Sequence, residues 1–123
     1  MPRLEGHASV LLVRDVAEAL DWWRDGLGFE VETYADNPGH YGYARRDGVY
    51  VHVAACFEPG PNSARFPPDM FDLYVYVDDV DGLHEEVRER GVAEILHGPV
   101  EQEYGLYEFR VRDPNGYVVA FGR

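Results

Sequence analysis

The chain has 123 residues, 46% of them hydrophobic, which is enough for one compact domain with a core and too little for two ordinary domains. Its 11 basic and 23 acidic residues give a formal net charge of −12, which repels phosphate backbones, so we expect no nucleic-acid partner. Cys56 is the single cysteine, and residues 1–6 carry no apolar run of signal-peptide length, so we expect a cytoplasmic protein without a disulfide or a membrane span.

The chain begins with a strand pattern followed by a helix pattern. Ser9–Val13 is an apolar run bounded by polar residues and predicts a buried strand. Asp15 can cap the next segment, and glycines at 26 and 28 end it, as is usual for a helix. The apolar positions of this segment fall on one helical face: Val16, Ala19, Leu20, Trp23 and Leu27. Trp22 lies off that face, so we expect it to meet solvent or a second subunit.

Three strands complete the first half. Residues 29–34 form the first, and Asn37-Pro38-Gly39 is a turn signal. Residues 42–46 and Val49–Ala55 predict two strands of a hairpin, because Asp47-Gly48 between them is a strong two-residue hairpin signal. Residues 58–69 follow with four prolines and one glycine, a composition that predicts a linker.

The second half repeats this order of elements. Residues 73–77 predict a strand, Asp79 caps a helix that Gly91 ends, and residues 94–96 predict a short strand. Tyr107–Arg112 alternates apolar with polar residues, and a turn at residues 113–116 leads to a last strand at 117–121.

The repeat has a nearly constant spacing. Val13-Arg14-Asp15-Val16 matches Val77-Asp78-Asp79-Val80, 64 residues later, and Gly28 matches Gly91 at 63. The sequence therefore predicts an α+β fold of two tandem βαβββ modules in a single domain: module one at about 6–57, a linker at about 58–69 and module two at about 70–123. Each module alone leaves one sheet face exposed, so modules must pair within the chain or with another chain.

Short motifs in a specific order span nearly the whole chain: residues 13–16, Trp22-Trp23, residues 26–29, 76–80, Arg90-Gly91-Val92, Tyr104-Gly105-Leu106, Glu108-Phe109 and residues 112–116. With these motifs the chain resembles the vicinal-oxygen-chelate superfamily, in particular its glyoxalase and bleomycin-resistance branch. The resemblance implies curled mixed sheets, a cleft inside each curl and a homodimer.

The resemblance also implies four metal-ligand positions in the family's enzymes. Matched by motif, they fall here on Ala8, His52, Asp72 and Ala120. Two of these side chains are methyl groups, and a catalytic metal site needs at least three protein ligands. We therefore expect no metal, no cofactor and no catalytic residue, with His52 and Asp72 as vestigial metal candidates. Whether the protein is an enzyme stays open, and the lost ligands favour a protein without catalysis.

Strand alternation names the side chains of the predicted cleft. In Tyr107–Arg112 the apolar set Tyr107, Phe109 and Val111 should pack under the helices, which turns Glu108 and Arg110 into the cleft. The strand with Tyr41 and Tyr43 can present either face. The expected ligand-binding residues are Tyr41, Tyr43, Tyr50, His52, Asp72, Tyr74, Tyr76, Glu108 and Arg110, with Val10, Leu12, Ala54 and Val118 beside them.

Each candidate also has a structural interpretation. Tyrosine is favoured in strands by propensity alone, and His52 can be a hydrogen-bonded side chain of the sheet. Asp72 and Glu108 can form an ion pair with Arg110 that serves the fold alone.

The leading functional hypothesis is a bleomycin-resistance-like protein. It would sequester a small aromatic or cationic natural product, such as an antibiotic, in the clefts of a homodimer. The alternative is a metal-dependent lyase, isomerase or dioxygenase with a non-standard ligand set. A third alternative is a regulatory or scaffold module that binds no small molecule. An acidic charge favours cationic ligands but also keeps any protein in solution.

Overall fold

The computed structural model, which describes residues 1–67 and 69–123, has two four-stranded mixed sheets and two helices. The elements in chain order are β1 (Ser9–Val13), α1 (Val16–Leu27), β2 (Glu30–Thr33), β3 (Tyr41–Arg46), β4 (Val49–Ala55), β5 (Leu73–Tyr76), α2 (Val80–Arg90), β6 (Glu94–Glu101), β7 (Tyr107–Arg112) and β8 (Val118–Gly122). A 3₁₀ turn at Asn62–Ala64 lies in the predicted linker, whose Pro68 is outside the described residues.

The two sheets have the same topology. The first has the order β1-β4-β3-β2 and the second the order β5-β8-β7-β6. In each sheet the first strand is parallel to the last strand of its module, and the other neighbours are antiparallel. This shared order confirms the predicted tandem βαβββ architecture.

Both helices begin and end where the sequence predicts. The carboxylate of Asp15 accepts a hydrogen bond from the Glu18 amide at 3.0 Å, and that of Asp79 accepts one from the Gly82 amide at 2.9 Å. Gly28 and Gly91 follow the last helical residues with φ angles of 74° and 69°, a left-handed conformation that glycine adopts without steric cost.

One apolar core lies between the helices and the inner faces of both sheets. Trp23, Phe109 and the inward valines of the central strands are fully buried, and this cluster is continuous across the two modules. The expectation for Trp22 was wrong, because its side chain is 6% exposed and its ring meets that of Trp23 edge to face at 5.4 Å. The wide indole thus reaches the core from the margin of the apolar stripe.

An ion pair joins the two modules outside the core. The Arg46 guanidinium donates to both carboxylate oxygens of Glu86 at 2.8 and 2.9 Å and also to the main-chain oxygen of Leu27 at 2.8 Å. Bidentate pairs of this kind fix the relative orientation of the groups they join. On the far side of the molecule, the Tyr117 hydroxyl donates to the Leu12 main-chain oxygen at 2.7 Å.

The last sheet contains the main departure from the predicted elements. The predicted strand at 94–96 continues to Glu101, with register shifts between Ile95 and His97 and between His97 and Val100. Gly98 and Pro99 break the alternation that a sequence pattern needs, yet a bulged edge strand tolerates both residues.

Tyr107 also departs in part from its predicted place under the helices. It is 37% exposed at the end of β7, and its hydroxyl donates to the Asp81 carboxylate on α2 at 2.6 Å. Phe109 and Val111, in contrast, are fully buried as predicted.

Gly42 permits close contact between β3 and helix α1. A Cβ at this position would lie 2.6 Å from Leu20 Cδ1 and 2.9 Å from the Glu32 main-chain oxygen. We therefore expect Gly42→Ala to lower the free energy of unfolding by about 1–3 kcal/mol, measured by urea denaturation. Gly39→Ala is the matched control, because a Cβ there meets no atom within 4 Å; an equal loss in both variants would contradict the close-contact explanation.

Asp113 is a buried carboxylate in the β7–β8 turn. It accepts hydrogen bonds from the main-chain amides of Asn115 at 2.9 Å and Tyr117 at 2.8 Å. Burial raises its pKa from the ordinary 3.8 to about 6. A raised pKa means that the stabilising contribution of the group is present below about pH 4 and is lost as the pH rises through 6.

Asp113→Asn keeps an oxygen acceptor and removes the titration. We expect the difference in unfolding free energy between this variant and the wild type to change by about 2 kcal/mol in favour of the variant as the pH rises from about 4.5 to about 7.5. Urea denaturation at the two pH values measures this change. Asp36→Asn, an exposed change, is the control. A wild-type-to-variant difference that is independent of pH would contradict the assignment.

Candidate functional site

Each sheet has an outer face, opposite the helix that covers its inner face. We call first outer face the side of β1, β4, β3 and β2 on which His52 lies. One row across it is Val10, His52, Tyr43 and Glu32, since these residues are cross-strand neighbours in register. Val10 is 55% exposed, which shows that this row is open to solvent in the monomer.

The register settles which face Tyr41 and Tyr43 occupy, a point that the sequence left open. Both lie on the first outer face beside His52, while Gly42 between them and Ala44 after Tyr43 are buried. The Tyr41 hydroxyl is 2.6 Å from His52 Nδ1, and the two rings meet edge to face at 5.5 Å.

Tyr43 has a different partner from Tyr41. Its hydroxyl donates to Glu32 Oε2 at 2.5 Å, and this hydrogen bond to a carboxylate raises the pKa of Tyr43. The Tyr43 ring is tilted over His52 at 6.0 Å, so three aromatic rings are contiguous on this face.

The first outer face also borders an open hollow of about 440 Å³. Residues 5–8 line one side of it, and the side chains of Tyr50 and His52 line another. Tyr50 is 40% exposed, so part of this aromatic side chain is open to solvent beside the hollow.

The second outer face, the side of β5, β8, β7 and β6 on which Arg110 lies, is filled by its own side chains. Glu108 is fully buried and Arg110 is 7% exposed. Arg110 Nε donates to Glu108 Oε2 at 2.6 Å, and another guanidinium nitrogen donates to the Tyr104 hydroxyl at 3.0 Å. The hydroxyls of Tyr74, at 3.3 Å, and of Tyr104 donate to Glu108 Oε1.

Small residues of β8 make room for this network. A Cβ at Gly122 would overlap the Tyr74 hydroxyl, so glycine is required for Tyr74 to reach Glu108. Burial and the Glu108 carboxylate both raise the pKa of Tyr74, which keeps its hydroxyl protonated as a donor. The ring of Phe71 packs on that of Tyr74 at 5.3 Å and lies under the Arg110 guanidinium at 5.1 Å.

The carboxylate of Asp72 is hydrogen-bonded to the main chain. Its two carboxylate oxygens accept the amides of Asn62 at 2.6 Å and of Val118 at 2.9 Å. The residue therefore anchors the linker to the start of β8.

The positions that match the family's metal ligands do not fit a metal ion. Ala8 and Ala120 offer only methyl groups. The Asp72 carboxylate accepts hydrogen bonds from two main-chain amides, and one ring nitrogen of His52 is hydrogen-bonded to Tyr41. No group of three His, Cys, Asp or Glu side chains among residues 1–67 and 69–123 is arranged to hold a metal.

The structure divides the nine predicted residues among three places. Tyr41, Tyr43, Tyr50 and His52 lie together on the first outer face, and Asp72 lies at the linker. Tyr74, Tyr76, Glu108 and Arg110 belong to the second sheet, with Tyr76 73% exposed. A larger hollow, of about 600 Å³, lies between the modules near Arg46 and Glu86, and Tyr76 alone of the nine lines it.

Sequence reasoning missed Glu32, Phe71 and Tyr104. Alternation along residues 29–34 could have placed Glu32 beside Tyr43, since the two pair across strands. Phe71 and Tyr104 lie in irregular segments, where no periodicity predicts the direction of a side chain.

The fold and this site define a class of protein. The chain belongs to the Glyoxalase/Bleomycin resistance protein/Dioxygenase superfamily, whose profile matches residues 6–121. No curated protein matches the chain significantly. Among the described residues, neither helix is long and apolar enough to cross a membrane.

Solved structures with this fold include two at about one-quarter identity. TioX from Micromonospora sp. ML1 is 25% identical, with a TM-score of 0.74 over 97% of this chain and 98% of that one. The bleomycin-binding protein of bleomycin-producing Streptomyces verticillus, complexed with copper(II)-bleomycin, is 26% identical, with a TM-score of 0.75 over 98% and 97%. A bleomycin resistance determinant encoded on transposon Tn5 shares the fold at 17% identity, with a TM-score of 0.76 over 98% of both chains.

The Glu108–Arg110 pair provides a test of the second outer face. Arg110→Met leaves a buried carboxylate without its cation, so we expect a loss of about 3–5 kcal/mol of unfolding free energy. Adding Glu108→Gln should recover part of the loss, because a neutral amide still accepts from the tyrosine hydroxyls.

Arg45→Met is the matched control for this prediction, since the Arg45–Glu30 pair is exposed and should contribute little to stability. Urea denaturation of the four proteins measures the differences. A double variant less stable than Arg110→Met alone would contradict the buried-charge argument.

Proposed function

We propose that this protein binds and sequesters a small aromatic or cationic natural product, such as an antibiotic, in the clefts of a homodimer and without metal chemistry. The observation that carries the proposal is the first outer face, where contiguous Tyr and His side chains border an open hollow of about 440 Å³. Aromatic side chains with a few fixed polar groups are typical of small-molecule sites.

The donor chemistry supports binding over catalysis. Sequestration requires affinity alone, so the methyl groups at positions 8 and 120 do no harm to it. A metal enzyme would need at least three ligands, and both Asp72 and His52 already have partners within the fold. The alternative, a metal-dependent lyase, isomerase or dioxygenase, thus has no specific observation in its favour.

Exposed apolar side chains support the homodimer. Val10 and Leu12 on the first outer face are 55% and 47% exposed, and Tyr76 beside the second outer face is 73% exposed. Apolar groups in such an array mark interaction surfaces. In the proposed dimer, the first outer face of one subunit covers the second outer face of its partner, and the ligand lies between them.

The relatives support the type of ligand. The Streptomyces verticillus protein binds bleomycin, and at 26% identity it shares nearly its whole length with this chain. The net charge of −12 favours a ligand that carries positive charge, because the field of the protein raises the local concentration of cations. We also propose the cytoplasm as the place of sequestration.

A fluorescence titration with bleomycin and other aromatic antibiotics tests the proposal. We expect saturable quenching of tyrosine and tryptophan emission, two ligands per dimer, and a dimer mass in sedimentation equilibrium. His52→Ala should weaken binding by about tenfold or less, since one lost hydrogen bond is worth about 1 kcal/mol.

The competing functions give different results in the same samples. An enzyme would retain near-stoichiometric Fe, Mn, Ni or Zn after dialysis, lose that metal in His52→Ala, and lose turnover by orders of magnitude. A scaffold module would show no saturable ligand binding. Either result would replace the proposal.

A further inference from the structure

His52 contacts Tyr41 and also lines the hollow that borders the first outer face. The Tyr41 hydroxyl is 2.6 Å from Nδ1, whereas the hydroxyl of the neighbouring Tyr43 is turned to Glu32. Two tyrosines thus flank the same imidazole, and one of them alone is hydrogen-bonded to it.

The chemistry of the pair decides where the imidazole proton lies. A phenol O–H is a strong donor and its oxygen a weak acceptor, whereas the unprotonated nitrogen of a neutral imidazole is a strong acceptor. A distance of 2.6 Å is typical of a short, well-formed bond between such groups. Tyr41 therefore donates to Nδ1, and neutral His52 carries its ring proton on Nε2.

The same contact fixes the direction of Nε2. The two ring nitrogens point away from each other, so an imidazole with Nδ1 held by Tyr41 directs Nε2 away from that residue. The edge-to-face contact at 5.5 Å holds the plane of the ring. Among residues 1–67 and 69–123, Nε2 has no hydrogen-bond partner, and its cross-strand neighbour Val10 offers an apolar side chain.

We infer that Tyr41 is a positioning residue that holds His52 as an N–H donor, and that the ligand of this site is a planar aromatic molecule with a hydrogen-bond acceptor at its edge. The acceptor is a carbonyl oxygen or an unprotonated ring nitrogen, and the exposed ring of Tyr50 supplies the stacking surface. The ligand class rests on the proposed function, whereas the state of His52 does not.

The state of His52 is measured first, without any ligand. Long-range ¹⁵N–¹H correlation spectra at pH 8.5, where an imidazole is ordinarily neutral, should give the Nε2–H tautomer for His52, assigned by its absence in His52→Ala. Tyr41→Phe should shift the His52 Nδ1 resonance as the hydrogen bond is lost. Tyr43→Phe, which deletes the same group beside the same ring, should leave it unchanged. An Nδ1–H tautomer, or equal spectra for the wild type and Tyr41→Phe, would overturn the inference.

The ligand class is tested with two probes of the same shape, isoquinoline and naphthalene. Isoquinoline carries one ring nitrogen that accepts a hydrogen bond, and naphthalene carries none. We expect isoquinoline to bind the wild type at least fivefold more tightly, and this ratio to fall to about one in Tyr41→Phe and His52→Ala. The ratio should be unchanged in Tyr107→Phe, which removes a hydroxyl that is bonded to Asp81 outside this face.

The outcomes separate this inference from the proposed function. Equal affinities of the wild type for the two probes, or an unchanged ratio in Tyr41→Phe, would overturn the ligand class. A chain that binds bleomycin but has equal affinities for the two probes would keep the proposed function and overturn the ligand class alone. A folded chain with the Nε2–H tautomer and no binding of any probe or antibiotic would overturn the proposed function and the ligand class together, and would leave the tautomer assignment intact.

Discussion

Strand alternation is the constraint on which the rest of this molecule depends. Each sheet has one helix to cover it, so one set of side chains joins the core and the other set must face outward. The inner sets are continuous across the two modules and make one core, anchored by Trp23 and Phe109. In the part of the chain that the structure describes, no helix covers the outer sets, which makes them candidate binding surfaces.

The two outer faces meet this constraint in different ways, although duplication gave the modules the same topology. The second outer face is closed by a buried ion pair that two tyrosine hydroxyls and a main-chain oxygen complete. A buried charge pair tolerates burial only with its remaining hydrogen bonds satisfied, and here they are. Among the residues that the structure describes, the first outer face has no comparable buried ion pair, and its rings remain partly exposed.

The first and second outer faces differ in the chemistry that they present. The two modules contribute unequal chemistry, with a hydrogen-bonding histidine among tyrosines on one side and a rigid polar network on the other. A rigid network gives a fixed wall, because its members restrain one another's rotamers. In the dimer proposed above, recognition by the first outer face would depend on a small number of oriented groups, among them His52.

The sequence by itself determined the elements and the repeat. Asp15 and Asp79 as caps, Gly28 and Gly91 as helix ends, and the alternation of Tyr107–Arg112 are local signals, and local signals fix local structure. The family followed from the order of those signals. Only the tertiary structure decided that Tyr41 and Tyr43 share a face with His52, that Asp72 is bonded to two amides, and that Trp22 is buried. These facts depend on register, on linker path and on contacts between residues distant in the chain, and none of them leaves a periodic trace in the sequence.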